Sequence, residues 1–379
     1  MRMNSQAPLL IHEVLPDELM AIIFEKHAKL EWRAPAIDGR VCRLWRQIIL
    51  DTPRVWAYPE MSSRFCERLG ISDLLLWLDR SRTAPLHISI DEDFNLSNNM
   101  NNRTFYQVLR DYHTRIASLR ILADRTSFFD GRDFPCMQHL DIMGGRYGLT
   151  SSWPVSRAHM PELRSLRLGY LNRASLFPSL DGLVPLKVLV LYDGKFTSLS
   201  HHSSSLVSLM LNKVELGDAI SGSLDFPSLT YLSLCAMSDL KPLINAPCLE
   251  TYHEYSTDTY KSFSAPLHSL VEHGSMGLNP YQLDLTEWHN SFPNILRLSI
   301  RAYPHDLISF FDALSIHPHL LPKLQMISVG FYTRFTKKDQ GTMEDLVRVR
   351  SEASHLDVAL YFEPEKPCHI PLFFGGVSH

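Results

Sequence analysis

The feature that most constrains this chain is a phrase that returns along it: Pro, one residue, then Leu-x-x-Leu-x-Leu. It reads M-P-E-L-R-S-L-R-L, V-P-L-K-V-L-V-L, F-P-S-L-T-Y-L-S-L, F-P-N-I-L-R-L-S-I and L-P-K-L-Q-M-I-S-V, with looser copies between and before these. The first apolar anchors are Ile116, Met137, Leu163, Leu186, Leu206, Leu229, Leu249, Leu267, Ile295 and Leu324, separated by 21, 26, 23, 20, 23, 20, 18, 28 and 29 residues. A Leu-x-Leu pair sends both leucines to one side of an extended segment, so each copy predicts a short strand with one apolar face. The Pro and polar runs between copies turn the chain back. No copy can bury its face alone, so the copies must stack. The alternative is a single α/β domain whose strands recur at this spacing.

Before that repeat lies a helical segment. Pro16 suits a first helical turn, and Asp17 and Glu18 suit the positive end of a helix. Leu19, Ile22 and Ile23 follow at helical spacing, with Phe24 beside them. After Pro35 a second periodic stretch runs through Val41, Leu44, Trp45, Ile48 and Ile49, and Thr52-Pro53 stops it. About 45 residues cannot bury much surface by themselves. Part of this apolar surface therefore either meets a partner or packs onto the rest of the chain.

The strings L-P-D-E-L-M-A-I-I-F, V-C-R-L-W-R-Q-I-I and T-P-R-V-W resemble an F-box, in the F-box-like form common in mushroom-forming fungi. The match runs through Leu15, Pro16, Glu18, Leu19, Ile22, Phe24, Val41, Cys42, Arg43, Trp45, Arg46, Pro53 and Trp56. Val55 stands where Leu is usual, and the stretch from His27 to Arg40 departs most. The repeat in turn resembles the irregular leucine-rich repeats that often follow an F-box. It lacks the Asn that normally comes after Leu-x-Leu-x-x; Val214 and Met237 stand there in two copies. Glu254 and Glu272 occupy core positions in two weak copies. A Glu facing a core needs a partner, so those copies are expected to be frayed or re-registered.

The resemblance implies an α+β fold: an N-terminal three-helix F-box unit followed by an irregular leucine-rich-repeat solenoid. The expected organisation is an F-box-like domain over 12–60, a linker helix and first strand over 61–110, the repeat array over 111–362 and a tail over 363–379. Ile71, Leu74, Leu75 and Leu78 mark the linker helix, L-H-I-S-I from Leu86 the strand, and the polar run Asp91–Arg103 a loop.

Charge and chemistry narrow the function. The chain has 379 residues with 37 Lys+Arg against 41 Asp+Glu, a net charge of −4, which argues against a phosphate-driven nucleic-acid binder. No run of apolar residues is long enough for a membrane span, and the start carries no signal-peptide pattern. None of the six cysteines is spaced Cys-x-x-Cys, so reduced and mostly buried thiols in a cytoplasmic or nuclear protein are expected. There is no G-x-S-x-G, P-loop, G-x-G-x-x-G or H-E-x-x-H. His201-His202 and the pair His317 and His319 have no Cys or carboxylate at a matching spacing, so neither a metal nor a cofactor is expected.

By resemblance, the chain is a substrate-recognition subunit of a Skp-cullin-F-box type ubiquitin ligase and not itself an enzyme. Leu15, Pro16, Glu18, Leu19, Ile22, Val41, Trp45 and Trp56 would meet the Skp-type adaptor, and through it a cullin. The other expectation within reach is an interaction scaffold that drives no degradation. Positions between and beside the Leu-x-Leu pairs face away from the leucines. The larger residues there are Arg120, Asp141, Arg167, Tyr192, Met210, Tyr231, Tyr255, Arg297 and Arg301. Tyr and Arg are enriched at binding hot spots, and arginines suit an acidic or phosphorylated partner. Arg120, Arg167, Tyr192, Tyr231, Tyr255, Arg297 and Arg301 are thus the candidate residues for an unknown protein substrate.

Overall fold

The computed structural model describes residues 15–61, 71–90, 101–122, 128–129, 131–143, 156–169, 180, 182–196, 199, 201–216, 223–255, 263, 266–276, 285–331, 333, 336–354 and 358–362. The chain divides into two compact units, Met1–Ser175 with Gly182–Val184, and Leu176–Asp181 with Pro185–His379.

The first unit opens with α1 (Asp17–Leu30), α2 (Ala34–Asp38) and α3 (Arg43–Asp51). Pro16 precedes α1, Asp17 and Glu18 fill its first turn, and Met20, Phe24 and Ala28 form its buried stripe at a spacing of four. The Cys42 Sγ accepts from the Trp45 N–H at 3.4 Å and caps α3, a place where Ser or Asp is more usual. A 3₁₀ turn over Pro53–Trp56 buries Val55 and Trp56. Strand β1 (Glu60–Met61) follows, then α4 (Ile71–Arg80), β2 (Leu86–Ile90), α5 (Asn101–Asp111), β3 (Ile116–Leu122), β4 (His139–Met143) and β5 (Ser165–Leu168). β1 to β5 pair in chain order, every pair parallel.

The second unit holds β6 (Val188–Phe196), β7 (Ser208–Leu216), β9 (Tyr231–Cys235), β11 (Thr251–Tyr255), β12 (Glu272–Met276), β13 (Arg297–Ala302), β14 (Met326–Phe331) and β15 (Ala359–Phe362), again parallel neighbours in chain order. The short strands β8 (Leu224–Asp225) and β10 (Ile244–Asn245) pair separately. Helices α6 (Leu285–Ser291), α7 (Pro304–Ile316) and α8 (Lys337–Ser354) connect β12 to β13, β13 to β14 and β14 to β15. None of the helices among the described residues is long and apolar enough to cross a membrane.

The architecture overturns the expected α+β class of a three-helix F-box unit followed by a solenoid. It is α/β, with five parallel strands in the first unit, eight in the main sheet of the second, and eight helices among the described residues. Two facts explain the difference. Helices α1 to α3 fall in the same compact unit as β1 to β5 and lead straight into β1, so they are not a unit apart. Five of the parallel connections carry a helix, the β–α–β arrangement that parallel pairing favours. The polar run expected as a loop over Asp91–Arg103 is also corrected: α5 already begins at Asn101, and 91–100 lie outside the described residues. The tail over 363–379 lies outside them too.

Each repeat phrase places one strand, and its leucines are the core. Leu189, Leu191, Leu209, Leu211, Leu232 and Leu234 are at most 1% exposed and stand in register across β6, β7 and β9. The two weak copies resolve differently. Glu254 keeps its place and faces inward at 5% exposure, where Lys241, fully buried, meets its Oε1 with Nζ at 2.6 Å. The copy carrying Glu272 is re-registered. Leu270, not Leu267, takes the anchor position, since Leu270 N–H donates to Leu267 O just as Leu229 N–H donates to Phe226 O. Anchors then fall at Leu249, Leu270 and Ile295, steps of 21 and 25 residues. The shift turns Glu272 outward and puts His273 in the leucine position, opposite Tyr252 and Leu298. From β11 onward the core thus becomes aromatic: Trp288 of α6 lies 4.7 Å from the His273 ring, and Phe292 lies 4.9 Å from it.

Candidate functional site

Two surfaces carry the residues singled out in the sequence. The first is the outer side of α1 to α3. Burial of the Met20, Phe24 and Ala28 stripe turns the neighbouring side chains out: Leu19 is 47% exposed, Ile22 53% and Ile23 46%. The same happens on α3, where Ile48 and Ile49 are buried while Val41, just before the helix, is 62% exposed and Leu44 37%. Pro16 and Glu18 are exposed and Leu15 is half-buried. Half-buried Trp45 sits edge-on to Phe24 at 5.1 Å, tying α3 to α1. Trp56 is different. It is 2% exposed, and its Nε1–H donates to Ile49 O at 2.9 Å. Its expected place on an adaptor-facing surface is corrected: in this chain it is interior packing, with Trp77 edge-on at 4.8 Å and the Arg80 guanidinium over its ring at 4.5 Å.

The second surface is the face of the strands opposite the leucines. In the first unit Arg120, Asp141 and Arg167 stand in register on β3, β4 and β5. Asp141 Oδ2 accepts from Arg120 Nε at 2.9 Å, and Arg167 Nη1 lies 3.6 Å away. Burial pushes the Asp141 carboxyl up, and the two guanidinium groups pull against that. These two arginines therefore already share a counter-ion. In the second unit Arg297 meets Glu272 at 3.7 Å, a pair created by the register shift that turned Glu272 outward. Beside the four arginines singled out in the sequence, the outward strand positions thus carry two carboxylates, Asp141 and Glu272.

The tyrosines also differ from one another. Tyr192 is 8% exposed, and its hydroxyl reaches the Met210 sulfur at 3.2 Å, so it is packed down rather than presented. Tyr231 is half-buried; burial raises its phenol above the usual range. Its ring lies 5.5 Å from that of His253, a residue the sequence reading passed over. Gly274 stands beside His253 in register, and a Cβ there would fall 2.3 Å from His253 Nδ1. The missing side chain is what lets the imidazole lie across the neighbouring strand. A glycine in mid-strand is the signal for such a close approach. Arg301 is half-buried on β13, and the Tyr255 side chain lies outside the described residues.

Of the histidines considered for metal binding, His202 is tied into the fold by its ring. Buried His202 accepts from Leu186 N–H at Nδ1, 3.3 Å, and its Nε2 lies 2.9 Å from Leu180 O. Cysteines 136 and 248 are exposed and 42 and 235 half-buried, which corrects the expectation of mostly buried thiols; the other two lie outside the described residues. Compared with known proteins, the chain matches no family model and no curated protein.

Proposed function

We propose that the chain is a substrate-recognition subunit of a Skp-cullin-F-box type ubiquitin ligase. One observation carries the reading. The segment with the F-box-like pattern leaves Leu19, Ile22, Ile23, Val41 and Leu44 at least one-third exposed, although the chain buries chemically identical side chains elsewhere at 0–1%. Exposed large apolar side chains on packed helices are the signature of a surface that expects a protein partner. The partner is a Skp-type adaptor, and the chain supplies recognition while other subunits transfer ubiquitin. The strand faces, with Arg120 and Arg167 in the first unit and Tyr231, Arg297 and Arg301 in the second, select the protein substrate. The compartment is cytoplasmic or nuclear, where such ligases work.

The test is adaptor co-purification from cells with Ile22→Asp and Val41→Asp together. Both side chains are exposed, so the variant folds. Loss of the adaptor is expected, with substrate-face partners retained. Retention of the adaptor by the double variant would refute the reading. A partner whose half-life does not change when the chain is removed would reassign it to a non-degradative interaction scaffold.

A further inference from the structure

Between the helical segment and α4, the first unit contains a solvent-open cavity of about 210 Å³. Its inner wall includes Ile49, Trp56 and Trp77, all less than a tenth exposed. Arg40, Arg46 and Arg80 line it as well. The indole N–H of Trp56 is already given to Ile49 O, so that ring offers the cavity only carbon. Trp77 is 7% exposed, and its Nε1–H, buried, finds no acceptor among the described residues.

None of the three arginines forms an ion pair with a carboxylate among the described residues. Arg80 is parked over the Trp56 ring at 4.5 Å. Arg46 is oriented by one bond, from Nε to Gly39 O at 2.9 Å. The Arg40 side chain makes no ion pair or hydrogen bond among the described residues, and none of the described residues that line the cavity is an Asp or Glu. This is the reverse of the strand face, where Asp141 lies between two arginines and Glu272 beside a third. Like charges brought to one apolar recess raise its potential and attract an anion. Guanidinium groups bind oxyanions in preference to other anions, through paired N–H donors. The walls between them are aromatic and aliphatic, which suits a flat apolar body. The volume is below that of a drug-sized pocket, room for one ring with one charged head.

We propose that this cavity binds a small aromatic oxyanion: an aryl ring carrying a phosphate or carboxylate, with the ring against Trp56, Trp77 and Ile49 and the head among Arg40, Arg46 and Arg80. The proposal stands apart from the adaptor reading, since its residues are not those of the exposed apolar face.

The test is calorimetric titration of the full chain with phenyl phosphate, inorganic phosphate, phenol and a phosphotyrosine peptide. Phenyl phosphate should bind at least tenfold more tightly than either phosphate or phenol. Arg40→Glu should weaken it tenfold or more, and Ala36→Trp, which fills the cavity mouth, should abolish it. Circular dichroism and the urea midpoint check that the variants fold, and Arg40→Gln replaces Arg40→Glu if the latter does not. Phosphate binding as tightly as phenyl phosphate would overturn the proposal. So would phenyl phosphate binding that survives both Arg40→Glu and Ala36→Trp. A peptide that binds tenfold more tightly than phenyl phosphate would overturn the small-molecule assignment and give the site to a protein.

Discussion

The helical segment and the sheet of the second unit use the same side chains to opposite ends. Leu209, Leu211, Leu232 and Leu234 are shut away at 0–1% exposure, while Leu19, Ile22 and Val41 stand half in water. The strands succeed because each repeat presents its leucines in register with the next, so every copy covers its neighbour. The helices have only one inward stripe each, and it is already filled by Met20, Phe24, Ile48 and Ile49. The comparison teaches that apolar periodicity marks surfaces that must be covered without saying by whom. In the sheet the chain covers itself; on α1 and α3 the described residues leave these side chains exposed, and our proposal assigns their covering to another protein.

The sharpest way to break this contrast is at the buried ion pair. Glu254→Ala leaves Lys241 charged and without its carboxylate in the core, at a cost of about 3–5 kcal/mol. Glu272→Ala, one strand away but outward, should stay within about 0.5 kcal/mol. Urea unfolding measures both, and equal losses would mean that the re-registration of β12 is wrong.

Next come the leucines. Leu211→Ala or Leu232→Ala should lose about 2–5 kcal/mol, because each empties a filled core position. Ile22→Ala should fall within about 0.5 kcal/mol in the isolated chain. A large loss at Ile22 would show that the helical face is covered by this chain after all.

A pH titration adds a third comparison, between a histidine stacked near the surface of the first unit and one sealed in the second. His87, stacked on Tyr58 at 4.8 Å, is lowered to about 4, chiefly by burial and then by His139. Burial, then Lys241 and His253, lowers His273 well below the usual imidazole range. Both groups are depressed bases, so the unfolded chain binds more protons in acid. Their stabilisation is complete above an ordinary histidine pKa of about 6.5 and is lost as pH falls through the folded values. For His87 the loss reaches at most about 3 kcal/mol near pH 4. His87→Gln should flatten part of the slope between pH 6.5 and 4, measured from urea midpoints. An unchanged slope would contradict the assignment.

The smallest effect concerns Gly274. Gly274→Ala places a Cβ against the His253 ring and should cost about 1–3 kcal/mol by overpacking. His253→Ala in the same chain should recover most of it, because the imidazole is what the new methyl meets. Failure of that rescue would place the strain in the backbone instead.

The strands, the anchors and the two faces were legible because alternation in Leu-x-Leu leaves little freedom. Class and connection were not. A parallel pair and an array of stacked copies share one sequence signal, and nothing in the phrase says whether a helix will fill the return path. The re-registered copy was half legible: a Glu at a core position announced trouble, but both Glu254 and Glu272 carried that sign. What separates them is Lys241, thirteen residues before Glu254, which arrives under β11 on a 3₁₀ turn. Trp56 was misplaced because a motif match fixes residue type and order, while burial depends on Trp77 and Arg80, supplied from outside the motif. The strand positions proposed to meet a substrate were legible by position only; the pairing of their arginines with Asp141 and Glu272 needed the register.

The central claim is that the exposed apolar side chains of α1 and α3 are a docking surface for a Skp-type adaptor. The most direct measurement is the affinity of the purified full chain for a purified Skp-type adaptor, beside that of the Ile22→Asp, Val41→Asp double variant. A one-to-one complex that the double variant weakens by more than a hundredfold, about 2.7 kcal/mol, with its circular dichroism and urea midpoint unchanged, is the predicted result. No complex with the native chain, or equal affinity for both chains, would contradict it.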